Sequence, residues 1–434
     1  MRPASRSPFP TPMPASAIWR PFTQHAVEPE PPLIARADGA WLYDTQGRPI
    51  LDAISSWWVT THGHRHPTIM GAIRAASETL DQIIFAGLTH APAEELARRL
   101  VEVAPEGLTR VFFSDSGSTA VEVALKMALG TFRNRGDLKR VRIAALEGGY
   151  HGDTIGTMSV GARGVFNAPY KPLLFEVERI PFPAPGAEQA AYDALERAGR
   201  DGALAALLVE PLILGAGGMQ IYRPEALAEL ARIARASGAL VAVDEVMTGW
   251  GRTGTLFASE QAGLAPDILC TSKGLTGGAV PLAATLARED VFEAHYSPDR
   301  AKTFFHSSSY TANPIACAAA VANLDVWRDE PVAERVAALA SAQAERVRAY
   351  ENDPRFANAR SCGTIAAVDL RVPDSGYLSE IGPKLRAYFL RQGLLVRPLG
   401  DVIYLMPPYC VTESELDRLH AAILDAPAAL GLAA

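Results

Sequence analysis

Asp244 and Lys273 lie 29 residues apart, each at the end of a short apolar run. Asp244 closes Ala239-Leu240-Val241-Ala242-Val243, which places it at the carboxyl edge of a parallel strand, where open α/β sheets bind ligands. Lys273 follows Asp267-Ile268-Leu269-Cys270 and precedes Gly274. A lysine in such a place can form a Schiff base with an aldehyde cofactor. A carboxylate at the first site can hold a pyridine nitrogen protonated, which turns the ring into an electron sink. An arbitrary Asp and Lys would more often be a strand-end cap and a solvated surface lysine, so the neighbouring residues have to decide.

Two further constellations carry chemistry. Ser116-Gly117-Ser118-Thr119 joins the strand-like run Val111-Phe112-Phe113 to a helix predicted from Thr119 to Phe132. Free backbone N–H groups and hydroxyls at a helix N-terminus make an anion site, although the same residues also serve as an ordinary N-cap. Gly149-Tyr150-His151-Gly152-Asp153 sets a tyrosine between glycines. By contrast, His62-Gly63-His64-Arg65-His66 has no acidic or cysteine ligand beside it, and no metal site is expected there.

The elements that must position these residues alternate. Ala40–Asp44 and Pro49–Asp52 read as strands of hairpins, broken by Asp38-Gly39 and Gln46-Gly47. Leu204–Val209 and Ala239–Val243 read as buried strands. The helical periodicity of Glu225–Ser237 lies between them and stops at Gly238. Repeated strand-helix-strand units imply a mainly parallel sheet covered by helices. After Pro331 a long helix rich in Ala, Arg and Glu leads into mixed strands and helices. The expected organisation is a lead-in over 1–17, a large domain over 65–330, and a small α+β domain from both chain ends, 18–64 and 331–434.

The run from Asp244 through Glu245-Val246-Met247-Thr248-Gly249-Trp250-Gly251-Arg252-Thr253-Gly254, then Pro266-Asp267-Ile268 and Ser272-Lys273-Gly274, resembles the signature of class III, ornithine-type aminotransferases of pyridoxal-phosphate fold type I. The resemblance implies that Lys273 holds pyridoxal 5'-phosphate and Asp244 its ring nitrogen. It also implies that Gly117 and Ser118 bind the phosphate and that Tyr150 stacks on the ring. Ser307, Ser308 and Ser309 would reach the phosphate of a second subunit, making a homodimer with its site at the interface. The family's commoner Gly-Pro-Thr is replaced there, and Ser309 keeps the threonine's hydroxyl.

Further segments narrow the resemblance, among them Trp19-Arg20-Pro21-Phe22, Ser55-Ser56-Trp57-Trp58, Val396-Arg397-Pro398 and Tyr404-Leu405-Met406-Pro407-Pro408-Tyr409. They are similar to the branch of that family that aminates 8-amino-7-oxononanoate in biotin biosynthesis. That substrate is a long aliphatic amino-ketone ending in a carboxylate. Trp57 and Trp58 would wall an apolar trough, and Arg397 would clamp the carboxylate. Phe22, Tyr150, Asp153, Arg252, Lys273 and Ser307 complete the implied substrate contacts. Members that use S-adenosylmethionine as donor commonly carry tyrosine where Phe22 stands, and some relatives use lysine, so both donors remain open. An ω-amino-acid:pyruvate aminotransferase is the nearest alternative. A cofactor-binding transcriptional regulator would need a helix-turn-helix domain, for which the 17 residues before Ile18 are too few.

Composition excludes other classes. The 434 residues carry a net charge of -7 with no basic block, which disfavours nucleic acid as a partner. No apolar stretch approaches the roughly 20 residues a membrane-spanning helix needs. Four separated cysteines without a CxxC pair fit free thiols in a reducing cytoplasm. Residues 1–16 hold prolines but no apolar signal region and read as a disordered lead-in.

Overall fold

A computed structural model describes residues 16–432; most of the expected lead-in, residues 1–15, lies outside the described residues. The core is a seven-stranded sheet ordered Leu108–Ser114, Ala283–Arg288, Ile268–Thr271, Leu240–Asp244, Leu204–Val209, Arg142–Leu146, Glu178–Ile180. The five strands from Ile268–Thr271 to Glu178–Ile180 run parallel, as expected. Ala283–Arg288 alone runs antiparallel to both its neighbours. Its link from Thr271 holds residues 272–282, which is too short for the crossover that a parallel return requires.

Alternation along the strands explains why they read as unbroken apolar runs. Leu207, Val209, Val241 and Val243 pack into one buried cluster with residues of the helices Ala91–Val103, Gln189–Gly199 and Pro224–Ala236. Ala206, Leu208, Leu240 and Ala242 face the opposite cluster, which contains Val121, Ala124 and Ala128 of the helix Gly117–Asn134. Successive side chains point to opposite faces, and helices cover both. The expected helices at 119–132 and 225–237 are present as Gly117–Asn134 and Pro224–Ala236. Gly238, at φ +80°, follows the second.

The N-terminal hairpins form as the turn residues predicted, with Ile34–Asp38, Trp41–Asp44 and Pro49–Asp52 pairing antiparallel. Leu394–Leu395, more than 300 residues on, adds a parallel fourth strand to this sheet. A second antiparallel sheet joins Phe356–Cys362, Ile365–Leu370 and Val402–Leu405. The long helix expected after Pro331 spans Val332–Glu351. No helix among the described residues is long and apolar enough to cross a membrane.

Candidate active site

Both central residues stand at strand ends. Asp244 is the last residue of its strand, and Lys273 opens a short turn, Lys273–Thr276, two residues beyond Thr271. Lys273 sits at φ +45°. That backbone position is costly for a lysine, and the surroundings hold it. Ser272 Oγ donates to the Leu282 carbonyl at 2.8 Å. Trp250 packs so tightly over the next residue that a Cβ at Gly274 would lie 2.6 Å from its own. The indole N–H of Trp250 donates to Thr271 Oγ1 at 2.7 Å.

One cavity gathers these groups. Its lining includes Phe22, Trp57, Trp58, Gly117, Ser118, Tyr150, Asp153, Asp244, Lys273 and Arg397 of the expected site residues. Asp244 is buried, and its Oδ2 lies 2.8 Å from Nδ1 of the buried His151. Its Oδ1 accepts the Val246 N–H at 3.1 Å. Lys273 Nζ sits 4.6 Å from the centre of the Trp58 ring. Burial lowers the Lys273 amine from an ordinary 10.5 to about 8, partly offset by the carboxylates of Asp244 and Glu210. A lowered amine gains its neutral, nucleophilic form as pH rises through 8. Trace acetylation of the cofactor-free protein, read at the Lys273 peptide, should rise about tenfold per pH unit below that midpoint and level above it. A rate still climbing to 10.5 would mean an ordinary solvated amine.

At the start of helix Gly117–Asn134, Ser116 is the cap. Ser116 Oγ accepts the Thr119 N–H at 3.2 Å, and Thr119 Oγ1 accepts the Ser116 N–H at 3.0 Å. The capping box therefore occupies Ser116 and Thr119, while Gly117 and Ser118 line the cavity. A side chain at Gly117 would meet Val246 at 2.5 Å. An anion at the first turn of the helix is favoured by its free N–H groups.

The opposite wall is aromatic. Phe22 packs edge-on against Trp57, with centroids 5.5 Å apart, and against Phe166 at 5.9 Å. Phe166 meets Tyr377 at 4.4 Å. The Arg397 guanidinium lies 5.1 Å over Trp57 and donates to the Phe22 carbonyl at 3.3 Å. Trp57 stays 40% exposed, whereas Trp58 is buried and its indole N–H donates to Tyr404 OH at 2.9 Å. The tryptophans sit in a turn with φ +52° at Ser55, +60° at Ser56 and +66° at Trp58. The buried Asp52 clamps it, its two oxygens 2.8 and 2.6 Å from the Ser56 N–H.

Four expected residues are not brought to this cavity. Arg252 is buried and donates to the carbonyls of Thr60 at 3.0 Å and Pro407 at 3.1 Å, so it braces the N-terminal turn against the C-terminal segment. Replacing it with Met should lower stability by about 3 kcal/mol through two stranded carbonyls, with little change in KM; thermal melting beside steady-state kinetics checks this. Ser308 Oγ bonds Asp115, Ser307 Oγ donates to the Ser308 carbonyl at 3.1 Å, and the Ser309 carbonyl accepts from Gln82. The histidines of the 62–66 run go to separate partners, Asn323, Asp52 and Glu330. His151, Glu210, Phe166 and Tyr377 are lining residues that the sequence reading did not single out. For His151 the signal was present, one residue beyond Tyr150.

The strand-end lysine, strand-end carboxylate and helix-start anion site on this sheet define a pyridoxal-phosphate enzyme of fold type I. The chain belongs to the aminotransferase class-III family, whose model matches residues 22–426. Members of that family depend on pyridoxal phosphate. Among its relatives, the adenosylmethionine-8-amino-7-oxononanoate aminotransferase of Synechococcus elongatus is 48% identical, over 94% of this chain and 97% of that protein. The protein of the same name from Nitratidesulfovibrio vulgaris is 42% identical, over 93% and 79%. Among solved structures, that aminotransferase from Methanocaldococcus jannaschii superposes with a TM-score of 0.90 at 32% identity, covering 94% of this chain and 96% of that one. A PLP-bound amine transaminase from an uncultivated Pseudomonas species gives 0.88 at 32%, covering 95% and 99%.

Proposed function

We propose that this chain transfers an amino group to 8-amino-7-oxononanoate, giving 7,8-diaminononanoate for biotin biosynthesis, with S-adenosylmethionine as donor. One observation carries the reading: a cation stacked on an aromatic wall and hydrogen-bonded to a backbone carbonyl shares a cavity with the lysine. A long apolar keto acid needs that combination, and the relatives' shared name supports it.

The residues fit the cofactor. A cradle without a side chain at Gly117, a buried carboxylate at Asp244 and a lysine with a lowered pKa stand together. Bound pyridoxal phosphate would supply a conjugated electron sink. Gly117 and Ser118 would hold its phosphate, and Tyr150 would pack on its ring. Asp244, oriented by His151, would keep a proton on the ring nitrogen. The Lys273 amine would take up the proton released at the donor carbon and give it back, as general base and acid. Phe22, Trp57 and Trp58 exclude water, and Arg397 pairs with the acceptor's carboxylate.

Replacing Arg397 with Ala should raise KM for the keto acid about 10- to 100-fold through loss of a charge-assisted pair, leaving the donor half-reaction intact. Phe22 keeps the ring of the commoner tyrosine without its hydroxyl, so lysine is the second candidate donor. Holoenzyme is mixed with each donor alone, and its conversion to the pyridoxamine form is followed by absorbance. Diamine is then assayed after 8-amino-7-oxononanoate is added. Absence of diamine with both donors would overturn the substrate assignment.

The protein acts in this reading as a cytoplasmic homodimer. Ser307, Ser308 and Ser309 lie outside their own chain's cavity, which supports their serving a second copy; sedimentation measures the assembly. Residues 18–64 and 331–434 form one small domain beside the 65–330 domain, supported by the pairing of Leu51 with Leu394.

A further inference from the structure

Glu210 stands beside Asp244 at the end of the neighbouring strand. Its strand, Leu204–Val209, pairs with the Asp244 strand so that Val209 lies opposite Val243. The next residue of each strand-end is therefore a carboxylate at the same sheet edge. Glu210 is buried and lines the same cavity. Its Oε1 accepts the Tyr150 N–H at 2.8 Å, and its Oε2 accepts the Gly215 N–H at 3.1 Å. The Tyr222 hydroxyl donates to its carbonyl at 2.7 Å.

Each oxygen thus grips a different turn. One turn carries Tyr150 and then His151, whose ring meets Asp244. The other carries Ala216, which also lines the cavity. Burying a carboxylate is expensive, but this place needs two oxygens that each accept a different backbone N–H, and an amide or a hydroxyl offers only one. The titratable groups that face Glu210 are His151, Asp244, Tyr150, Tyr222 and Lys273. Burial and Asp244 push the Glu210 carboxyl up to about 7, against the pull of His151 and the two N–H groups.

We propose that Glu210 is a positioning residue of this site, fixing the Tyr150–His151 turn against the Gly215 turn and acting with Asp244 as the second negative charge on the Lys273 amine. It rests on the aminotransferase reading of Lys273 and not on which acceptor the enzyme takes.

Two variants separate charge from reach. Glu210→Gln keeps the size, removes the charge and leaves one of the two backbone N–H groups facing an amide nitrogen. Glu210→Asp keeps the charge and shortens the reach. Trace acetylation of each cofactor-free protein across pH, read at the Lys273 peptide, needs no substrate and reports the amine directly. The midpoint should fall by about 1 unit in Glu210→Gln and stay near the parent's in Glu210→Asp. In the holoenzyme, Glu210→Asp should lower kcat about tenfold with KM little changed, measured with whichever donor drives the half-reaction. An unshifted midpoint in Glu210→Gln, or a parental kcat in Glu210→Asp, overturns the proposal. If melting shows Glu210→Gln to be unfolded, the Glu210→Asp kinetics decide alone. A failed assay with 8-amino-7-oxononanoate would leave the acetylation result standing, so the two readings fail separately.

Discussion

Replacing Lys273 by Ala should stop turnover, lowering kcat by about 10⁴-fold or more, because the proposed mechanism makes one side chain both the covalent anchor and the proton carrier. Stopped-flow and steady-state assays of the two half-reactions check it, and a kcat within tenfold of the parent would remove Lys273 from the mechanism. The same position has a stability signature of opposite sign. The Lys273 amine titrates at about 8 in the folded chain against an ordinary 10.5, so the unfolded state binds the extra proton between those values. Stability of the cofactor-free protein therefore rises with pH from about 8 to 10.5. Below 8 the buried charge costs its full amount. Lys273→Met, which keeps the stem over Trp58, should melt above the parent at pH 7, with the gap closing toward pH 10.5. A site that gains stability when its functional residue is removed is one where function is held at the expense of folding.

The second large effect is expected at Asp244. Asp244→Asn preserves shape but removes the charge that, in the proposed mechanism, favours a protonated ring nitrogen, and kcat should fall roughly 10³-fold. The Val246 N–H can still donate to the amide oxygen, so the turn after the strand should survive. The contact with His151 Nδ1 can also persist through the other tautomer. Near-parental melting with near-zero turnover is the anticipated pair of results. A variant within fivefold of the parent would mean that the ring nitrogen needs no charged partner here.

Much of this protein is readable without its structure, and the particular residues show why. Asp244 and Lys273 are placed by local pattern: an apolar run long enough for one strand, then a polar residue where the run ends. A strand buried on both faces permits nothing else, so the run and its end are both visible. Gly117 and Ser118 follow from the same logic at a helix start. The antiparallel return of Ala283–Arg288 is implicit in an 11-residue link only once the strand itself is placed.

Arg252 marks the limit. It lies eight residues past Asp244 within one signature, yet its guanidinium turns away to carbonyls of Thr60 and Pro407. Which way a long side chain points from a loop depends on acceptors contributed by distant chain, and spacing carries no record of them. Glu210, Phe166 and Tyr377 were missed for the same reason. Each becomes a lining residue only when its loop packs against another: Phe166 against Tyr377, 211 residues later, and Glu210 against the Tyr150 turn, 60 residues earlier. The sequence by itself determined the family, the sheet and the two residues at its carboxyl edge, because strand periodicity and strand ends are local properties of the chain. Only the tertiary structure decided which arginine faces the cavity, which rings wall it and which carboxylate stands behind Asp244, because those contacts form between segments that nothing in the linear order relates.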